Sequence, residues 1–300
     1  MACTQMEHPY YFAYGSNLNV ADWRKYCART GVEPDVIEAA GTAVLPDMQL
    51  SFDYFSVSRG GGALNIRPAR GHIVHGVLFR VSQQGWKTLD QKEGAPYCYH
   101  RVERVALRAD GSCVSVICYE VTAEMRCDFF PPTRQYRQIV ADGLQAWGLP
   151  VTGLMHAAEN RLAQTEIDRL FVYGTLMRGE SNAGLIPARS IRELRLATVQ
   201  GLLYGNGVAC PSLVLTENSN EVVHGECLQI DHLPVLLEKL DELEGFGGYA
   251  DPAAIYHRTL IQAISRKGDR HRAWCYVSAN REHPAHRIEG GCWRTHCATN

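Results

Sequence analysis

The chain has 300 residues, 46% hydrophobic and 21% charged, with a formal net charge of −2 at pH 7. That balance fills one large core or two ordinary ones and offers no basic face to a nucleic acid. No apolar run is long enough to span a bilayer. The opening MACTQMEHPYYF lacks the basic and apolar regions of a secretory leader, so the eleven cysteines are expected as reduced thiols in a cytoplasm.

In chain order, YYFAYGSNL (10–18) reads as a strand broken at Tyr14-Gly15, and SNLNVADW (16–23) as a turn that opens a helix. MQLSFDYFS (48–56), ALNIRPA (63–69) and HIVHGVLFRV (72–81) alternate as strands. SQQGWKTLDQKE (82–93) is an amphipathic helix ending before Gly94. RVERVALRA (101–109) and SVICYEV (115–121) are further strands. PPTRQYRQIVADGLQAWGLP (131–150) is a helix started by a Pro-Pro breaker and stopped at Gly148. Residues 151–168 read as a connecting helix or linker, and 281–300 lose periodicity and are expected as a loose tail.

Two phrases recur. FAYGSNL (12–18) is echoed by FVYGTLM (171–177), and VHGVLFRV…LDQKEG (74–94) by VHGECLQI…LDELEG (223–245). The Tyr-to-Glu separation is 79 residues (14 to 93) in one copy and 71 (173 to 244) in the other. The chain therefore reads as two divergent copies of one domain, at 8–150 and 169–280. Strands outnumber helices and most connections are too short for crossover helices. The expected class is α+β, each copy a small mixed β-barrel with flanking helices.

The chemistry concentrates at the repeated phrases. After each strand, successive backbone N–H groups of a Tyr-Gly turn can converge on an anion, with the helix N-terminus helping in the first copy. The plainer reading, a tight turn with a Ser or Thr cap, stays open beside it. Glu93 and Glu244 each end an amphipathic helix, on the face of Leu89 and Leu240 four residues earlier, so both should point inward. Burial and the negative helix end disfavour a charged carboxylate there and raise its pKa, which suits a general base. The alternative is a solvated helix end. Asp90 and Asp241 are expected as surface or hydrogen-bonding residues.

These residues resemble a known family. YFAYGSNL, GGALNI, VHGVLFRV, LDQKEG and FFPPTRQYRQIVADGLQAWGLP are similar to γ-glutamylcyclotransferase over most of 10–150. FVYGTLMRGESN, PSLVL, VVHGECLQI, LDELEG and YHRTLI resemble the γ-glutamylamine cyclotransferase, or AIG2-like, branch over 170–278. The resemblance implies a compact β-barrel and release of 5-oxoproline from γ-glutamyl amides. It implies that the Tyr-Gly loops hold the glutamyl α-carboxylate: Tyr14, Gly15, Ser16, Asn17 and Leu18 in the first copy, Tyr173, Gly174, Thr175 and Leu176 in the second. Glu93 and Glu244 become the acid/base groups. The partner is a small-molecule γ-glutamyl amide or dipeptide, with no cofactor, metal, nucleic acid or membrane.

Tyr99, Tyr119, Tyr256 and Tyr276 are candidate pocket walls, or aromatic packing on a sheet face. RGGGALNI (59–66) reads as a flexible turn over the first cleft. Leu176 stands where the first copy has an amide, leaving fewer donors. Residues 246–254 lengthen the segment after Glu244 and are expected to cap or reshape the second pocket. Cys292, His296 and Cys297 are not expected to bind a metal. Two other readings stay open: one catalytic copy with a degenerate regulatory or binding copy, and a tandem scaffold that only binds small molecules.

Overall fold

The computed structural model describes residues 9–161, 165–205, 211–251, 253–279 and 286–299. Residues 1–8, on which the absence of a leader was read, and 281–285 of the expected loose tail lie outside the described residues. The chain divides into two compact units. One comprises residues up to Arg108 and Cys113–Glu166; the other comprises Ala109–Ser112 and Ile167 onward. Among the described residues no helix is long and apolar enough to cross a membrane.

The first unit runs β1 (Tyr10–Ala13), α1 (Val20–Thr30), β2 (Ile37–Ser56), β3 (Gly61–Val81), α2 (Gln83–Glu93), β4 (Tyr99–Leu107), β5 (Cys113–Val121), α3 (Arg134–Ala146) and α4 (Thr152–Ala158). The strands close a barrel in the order β1-β3-β2-β4-β5. β1 lies parallel to β5, with Tyr11 opposite Ile117, and antiparallel to β3. Strands β2 and β3 are longer than the sequence pattern marks. Pro68 and Gly71 interrupt the alternation, but they fall at a register shift between Pro46 and Met48. There the Gly71 N–H donates to Asp47 Oδ1 at 2.7 Å. Bulges of this kind bend a strand round a barrel without ending it. Phe12, Phe52, Ile66, Leu78, Leu89 and Val140 fill the interior.

Within the stretch read as a connecting helix or linker, Thr152–Ala158 form the helix α4. Leu154, Ala157 and Ala158 of α4 are buried in the first core. Three apolar residues on one face suffice to dock so short a helix, although its length gives little periodicity to read.

The second unit runs β6 (Arg169–Val172), β7 (Ile191–Gly205), β8 (Pro211–Leu215), β9 (Val222–Ile230), α5 (Leu233–Leu243), β10 (Tyr256–Ser265), β11 (Arg270–Ser278), β12 (His286–Arg287) and α6 (Trp293–Thr299). Its strands follow the order β10-β11-β6-β9-β7, and β7 pairs back onto β10 through Thr198 and Ile264, closing a second five-stranded ring. Strands β8 and β12 extend from β7. β6, β9, α5 and the β10–β11 pair repeat β1, β3, α2 and the β4–β5 pair. Both copies are α+β barrels with flanking helices.

The expected loose tail is ordered over 286–299. Arg287 pairs with Tyr204, Ile288 N donates to Leu203 O at 2.8 Å, and Ile288 and Trp293 are 5% and 7% exposed. At Gly291 (φ 60) a Cβ would sit 2.0 Å from Val222 O, so only glycine permits the close approach to β9. Isolated anchors such as Ile288 and Trp293 have no period, which is why the segment resembles disorder in sequence.

Candidate active sites

In the first unit β1 delivers Tyr14 to the barrel end, where its hydroxyl donates to Tyr119 O at 2.5 Å. Ser16–Leu18 form a 3-10 turn whose bonds run from Leu18 N to Gly15 O and from Asn19 N to Ser16 O, both 3.0 Å. The Ser16 and Asn17 N–H groups stand at the head of this turn, where its own bonds do not use them. Helix α1 starts at Val20, within the stretch NVADWRKYCART (19–30) expected to be helical. Asn19 caps α1 by accepting from Asp22 N at 3.0 Å, so the N-terminus of α1 is satisfied by its own cap and not turned on the cradle.

Glu93 closes the site. It is the last residue of α2, before Gly94 in the left-handed conformation (φ 65). Asn17 Nδ2 donates to Glu93 Oε1 and to the Tyr11 hydroxyl, each at 2.7 Å. Lys92 Nζ donates to Asn17 Oδ1 at 2.6 Å and to Ser16 Oγ at 3.2 Å. Burial raises the Glu93 pKa; the Lys92 ammonium and the Asn17 hydrogen bond pull against it. Burial likewise lowers the Lys92 pKa, opposed by Glu93 and Asp22.

The cavity in front of Glu93 is about 470 Å³, and Ser16, Tyr99 and Tyr136 are among its walls. Tyr99 donates its hydroxyl to Leu64 O at 2.8 Å. Four cations stand round it: Lys25 and Arg29 from α1, Arg59 from the Gly-rich turn, and Lys92, against Asp22 and Glu93. Arg59 Nη2 reaches Ser16 Oγ and Asp22 Oδ2 at 3.3 Å, so the RGGG turn does stand over the cleft. Five expected residues, Tyr14, Gly15, Asn17, Leu18 and Tyr119, are not among its walls. Leu18 is fully buried, Tyr14 is spent on Tyr119 O, and the Tyr119 hydroxyl donates to Asp90 Oδ1 at 2.7 Å.

The second site repeats the plan with different chemistry. Tyr173 donates to Tyr276 O at 3.0 Å and accepts from Leu213 N at 3.3 Å. Met177 N closes on Gly174 O at 2.9 Å. Gly174 is obligatory, because a Cβ would meet Pro211 Cγ at 2.3 Å. Leu176 brings no donor. Instead Asn182, six residues on, lines the pocket and donates through Nδ2 to Thr175 Oγ1 at 3.1 Å. Glu244 is the residue just past α5, with Glu244 N still bonded to Leu240 O at 2.9 Å. Burial alone raises its pKa from 4.5 to about 7. The pocket, about 110 Å³, includes Gly174, Thr175, Leu176, Tyr256 and Tyr276 among its walls and, among the described residues, no cation. Tyr256 shares a hydrogen bond with Ser212 Oγ at 3.1 Å. Among the described residues of the insertion, none is a wall of this pocket. Phe246 packs on the Tyr249 ring and under the Arg258 guanidinium, 5.2 Å away, since an aromatic beside a buried cation is better placed inward. Pro252 of the insertion lies outside the described residues.

One repeated device escapes a residue-by-residue reading. Arg101 grips Asp90 with both Nε (2.8 Å) and Nη2 (2.7 Å), and Tyr119 completes the triad. In the second unit Arg258 Nε lies 3.4 Å from Asp241 Oδ1, which accepts from Tyr276 at 2.6 Å. Each triad ties the helix that carries the glutamate to the following strand pair. The signal was present, since Leu-Asp-x-x-Glu and Tyr-His-Arg recur together, but pairing them requires the fold.

Each half of the chain is similar to known proteins. The family model described as gamma-glutamyl cyclotransferase, AIG2-like, matches residues 11–141 and again 170–295. The chain is 33% identical over 108 residues to the gamma-L-glutamyl-butirosin B gamma-glutamyl cyclotransferase of Niallia circulans; the match covers 36% of this chain and 65%, just under two thirds, of that protein. It is 27% identical over 146 residues to the gamma-glutamylcyclotransferase of Bos taurus, covering 47% of this chain and 72% of the relative. A solved structure titled gamma-glutamyl cyclotransferase aligns at 25% identity and a TM-score of 0.42, over 53% of this chain and 89% of its own. With both halves matched separately, the chain belongs to the AIG2-like γ-glutamyl cyclotransferase family.

Proposed function

We propose that both pockets release 5-oxoproline from γ-glutamyl amides. The observation that carries this reading is the 2.7 Å bond from Asn17, in the Tyr-Gly turn, to Glu93, a carboxyl group kept reluctant to ionise by burial. A substrate whose α-carboxylate sits on the turn's N–H groups presents its α-amine to that carboxylate. With the α-amine in its neutral form, its nitrogen attacks the γ-carbonyl carbon and gives up one proton to ionised Glu93 or Glu244. The new C–N bond closes a five-membered ring as the amide C–N bond breaks. The same carboxyl group returns the proton to the departing nitrogen, so nothing but proton positions changes on the protein. An α-amine titrates near ~7.7–8, well matched to a carboxyl held near neutrality. Attack within one molecule needs orientation more than activation.

The two pockets favour different leaving amines. The cations beside Glu93 suit an amine that bears an acidic group; the uncharged, smaller wall round Glu244 suits a neutral amine. The Niallia relative is named for γ-L-glutamyl-butirosin B, and this chain too would remove a γ-glutamyl group from an amine, in a cytoplasmic biosynthetic or catabolic route. The test is a panel of acidic and neutral γ-glutamyl amides, with 5-oxoproline and free amine measured by mass spectrometry for Glu93→Gln and Glu244→Gln separately. Each variant should lose one class and keep the other. Full activity in Glu93→Gln on every amide would refute the assignment of the first site. Binding without product in both would favour a scaffold.

A further inference from the structure

Val77 and Glu226 occupy the same place in the two units. Each follows Val-His-Gly, and each pairs with the residue just before the Tyr-Gly step, Val77 with Ala13 and Glu226 with Val172. Val77 is fully buried among apolar neighbours. Glu226 is 1% exposed, and a buried carboxylate persists only where partners compensate for its lost water. Its partners are informative. Glu226 Oε2 accepts from Arg178 N at 2.9 Å, and Oε1 accepts from Arg294 Nη2 at 2.8 Å. The same Nη2 donates to Arg178 O at 2.7 Å, and Nε lies 3.7 Å from Glu180. One guanidinium thus engages both the buried acid and the loop that begins at Gly174.

The first unit supports its loop by other means. Helix α3 lies behind it: Asn19 Nδ2 donates to Ile139 O at 2.9 Å and Trp147 Nε1 to Leu18 O at 3.0 Å. Gly143 permits the contact, since a Cβ there would lie 2.9 Å from Asn19 N. The second unit has no helix equivalent to α3 among the described residues. Residues 286–299 stand in its place, held by the Arg287–Tyr204 pairing and by buried Ile288 and Trp293.

We infer that Arg294 is a positioning residue for the second pocket: through Glu226 and the Arg178 backbone it holds the 174–182 loop in the shape that receives substrate. The turnover part of this inference rests on the proposed activity of Glu244; the loop part does not. The test uses full-length chain in a Glu93→Gln background, which isolates the second site. Arg294→Ala removes the hydrogen bonds to Glu226 and to Arg178 O and should raise KM for a neutral γ-glutamyl amide at least about tenfold, with kcat changed much less. Hydrogen exchange should quicken at the Met177 and Arg178 amides and stay unchanged at Leu18 and Asn19. Arg294→Lys should restore part of both. Arg294→Ala with Glu226→Gln removes the unpaired buried charge but keeps an acceptor for Arg178 N; it should recover thermal stability while KM stays high. A KM that recovers together with stability would mean that Arg294 serves folding alone and would overturn the inference. So would unchanged exchange at Met177 and Arg178, or equal quickening in both loops. Faster exchange confined to 174–182, without any 5-oxoproline from Glu93→Gln, supports the loop assignment and refutes turnover at Glu244.

Discussion

Replacing Glu244 by Gln should make the second unit more stable at alkaline pH while abolishing its turnover. Burial raises this carboxyl from 4.5 to about 7. The folded unit therefore binds a proton over a range where the unfolded chain has already released it. Stability falls as pH rises from about 4.5 to about 7 and is flat beyond. At ~1.4 kcal/mol per pH unit the gap is worth ~3 kcal/mol, an upper bound because the carboxyl is only partly shielded from water. Gln keeps the shape and cannot ionise, so above pH 7 it escapes that penalty. For a domain of this size ~2–4 °C accompanies each kcal/mol, which limits the gain to at most about 6–12 °C at pH 8. At pH 5 most of the difference should vanish, since the native carboxyl is then protonated. Calorimetry of both proteins at the two pH values reads this directly. A variant that melts no higher than the native protein at pH 8 would mean that water reaches Glu244 freely, and the case for a tuned base in that pocket would fall.

Turnover by Glu93→Gln should rise through about pH 7 as Glu244 ionises; a flat profile between pH 5 and 8 would exclude Glu244 as the base. Asn17→Ala, assayed in a Glu244→Gln background, removes a donor that favours ionised Glu93. It should move the rate midpoint to higher pH and cut the rate at neutral pH about tenfold; an unmoved midpoint would dissociate Asn17 from the base. Asp241→Ala removes a buried carboxylate from beside the fully buried Arg258 and should cost the second unit about 3–5 kcal/mol in urea unfolding. Asp90→Ala breaks a pair whose side chains are about a third exposed, and should cost the first unit at most ~1 kcal/mol. Equal costs would show that burial does not set the weight of the two triads.

The tandem barrels and both glutamates were legible because their signals are local and doubled. Strand, Tyr-Gly step, and helix ending in Glu-Gly lie in two short stretches of each copy. The contact between Asn17 and Glu93 is long-range, yet both members lie in repeated phrases. What stayed hidden has no local period. Lys25 and Arg29 look like ordinary solvated residues of α1 until the helix is set beside the pocket. Asn182 supplies an amide from beyond the motif, so Leu176 gave a misleading view of the second loop. Tyr119 and Tyr276 sit at matching strand positions, yet Tyr276 is a wall of its pocket and Tyr119 is not a wall of the cavity before Glu93. The 281–300 stretch failed for a related reason: its anchors are single residues spaced by glycine and charge.

The parallel seam between β1 and β5 has a consequence for assembly. It joins residues about a hundred positions apart, and the Tyr14–Tyr119 bond sits on the same seam. Contacts so distant in the chain form late, because ordering the intervening loop costs entropy before the contact can reward it. The Tyr-Gly turn, which follows β1 directly, therefore depends for its support on a pairing that closes late in the chain's ordering. A chain cut between β1 and β5 would have to bring two separate pieces together before Tyr14 could reach the Tyr119 carbonyl, at a further cost in entropy.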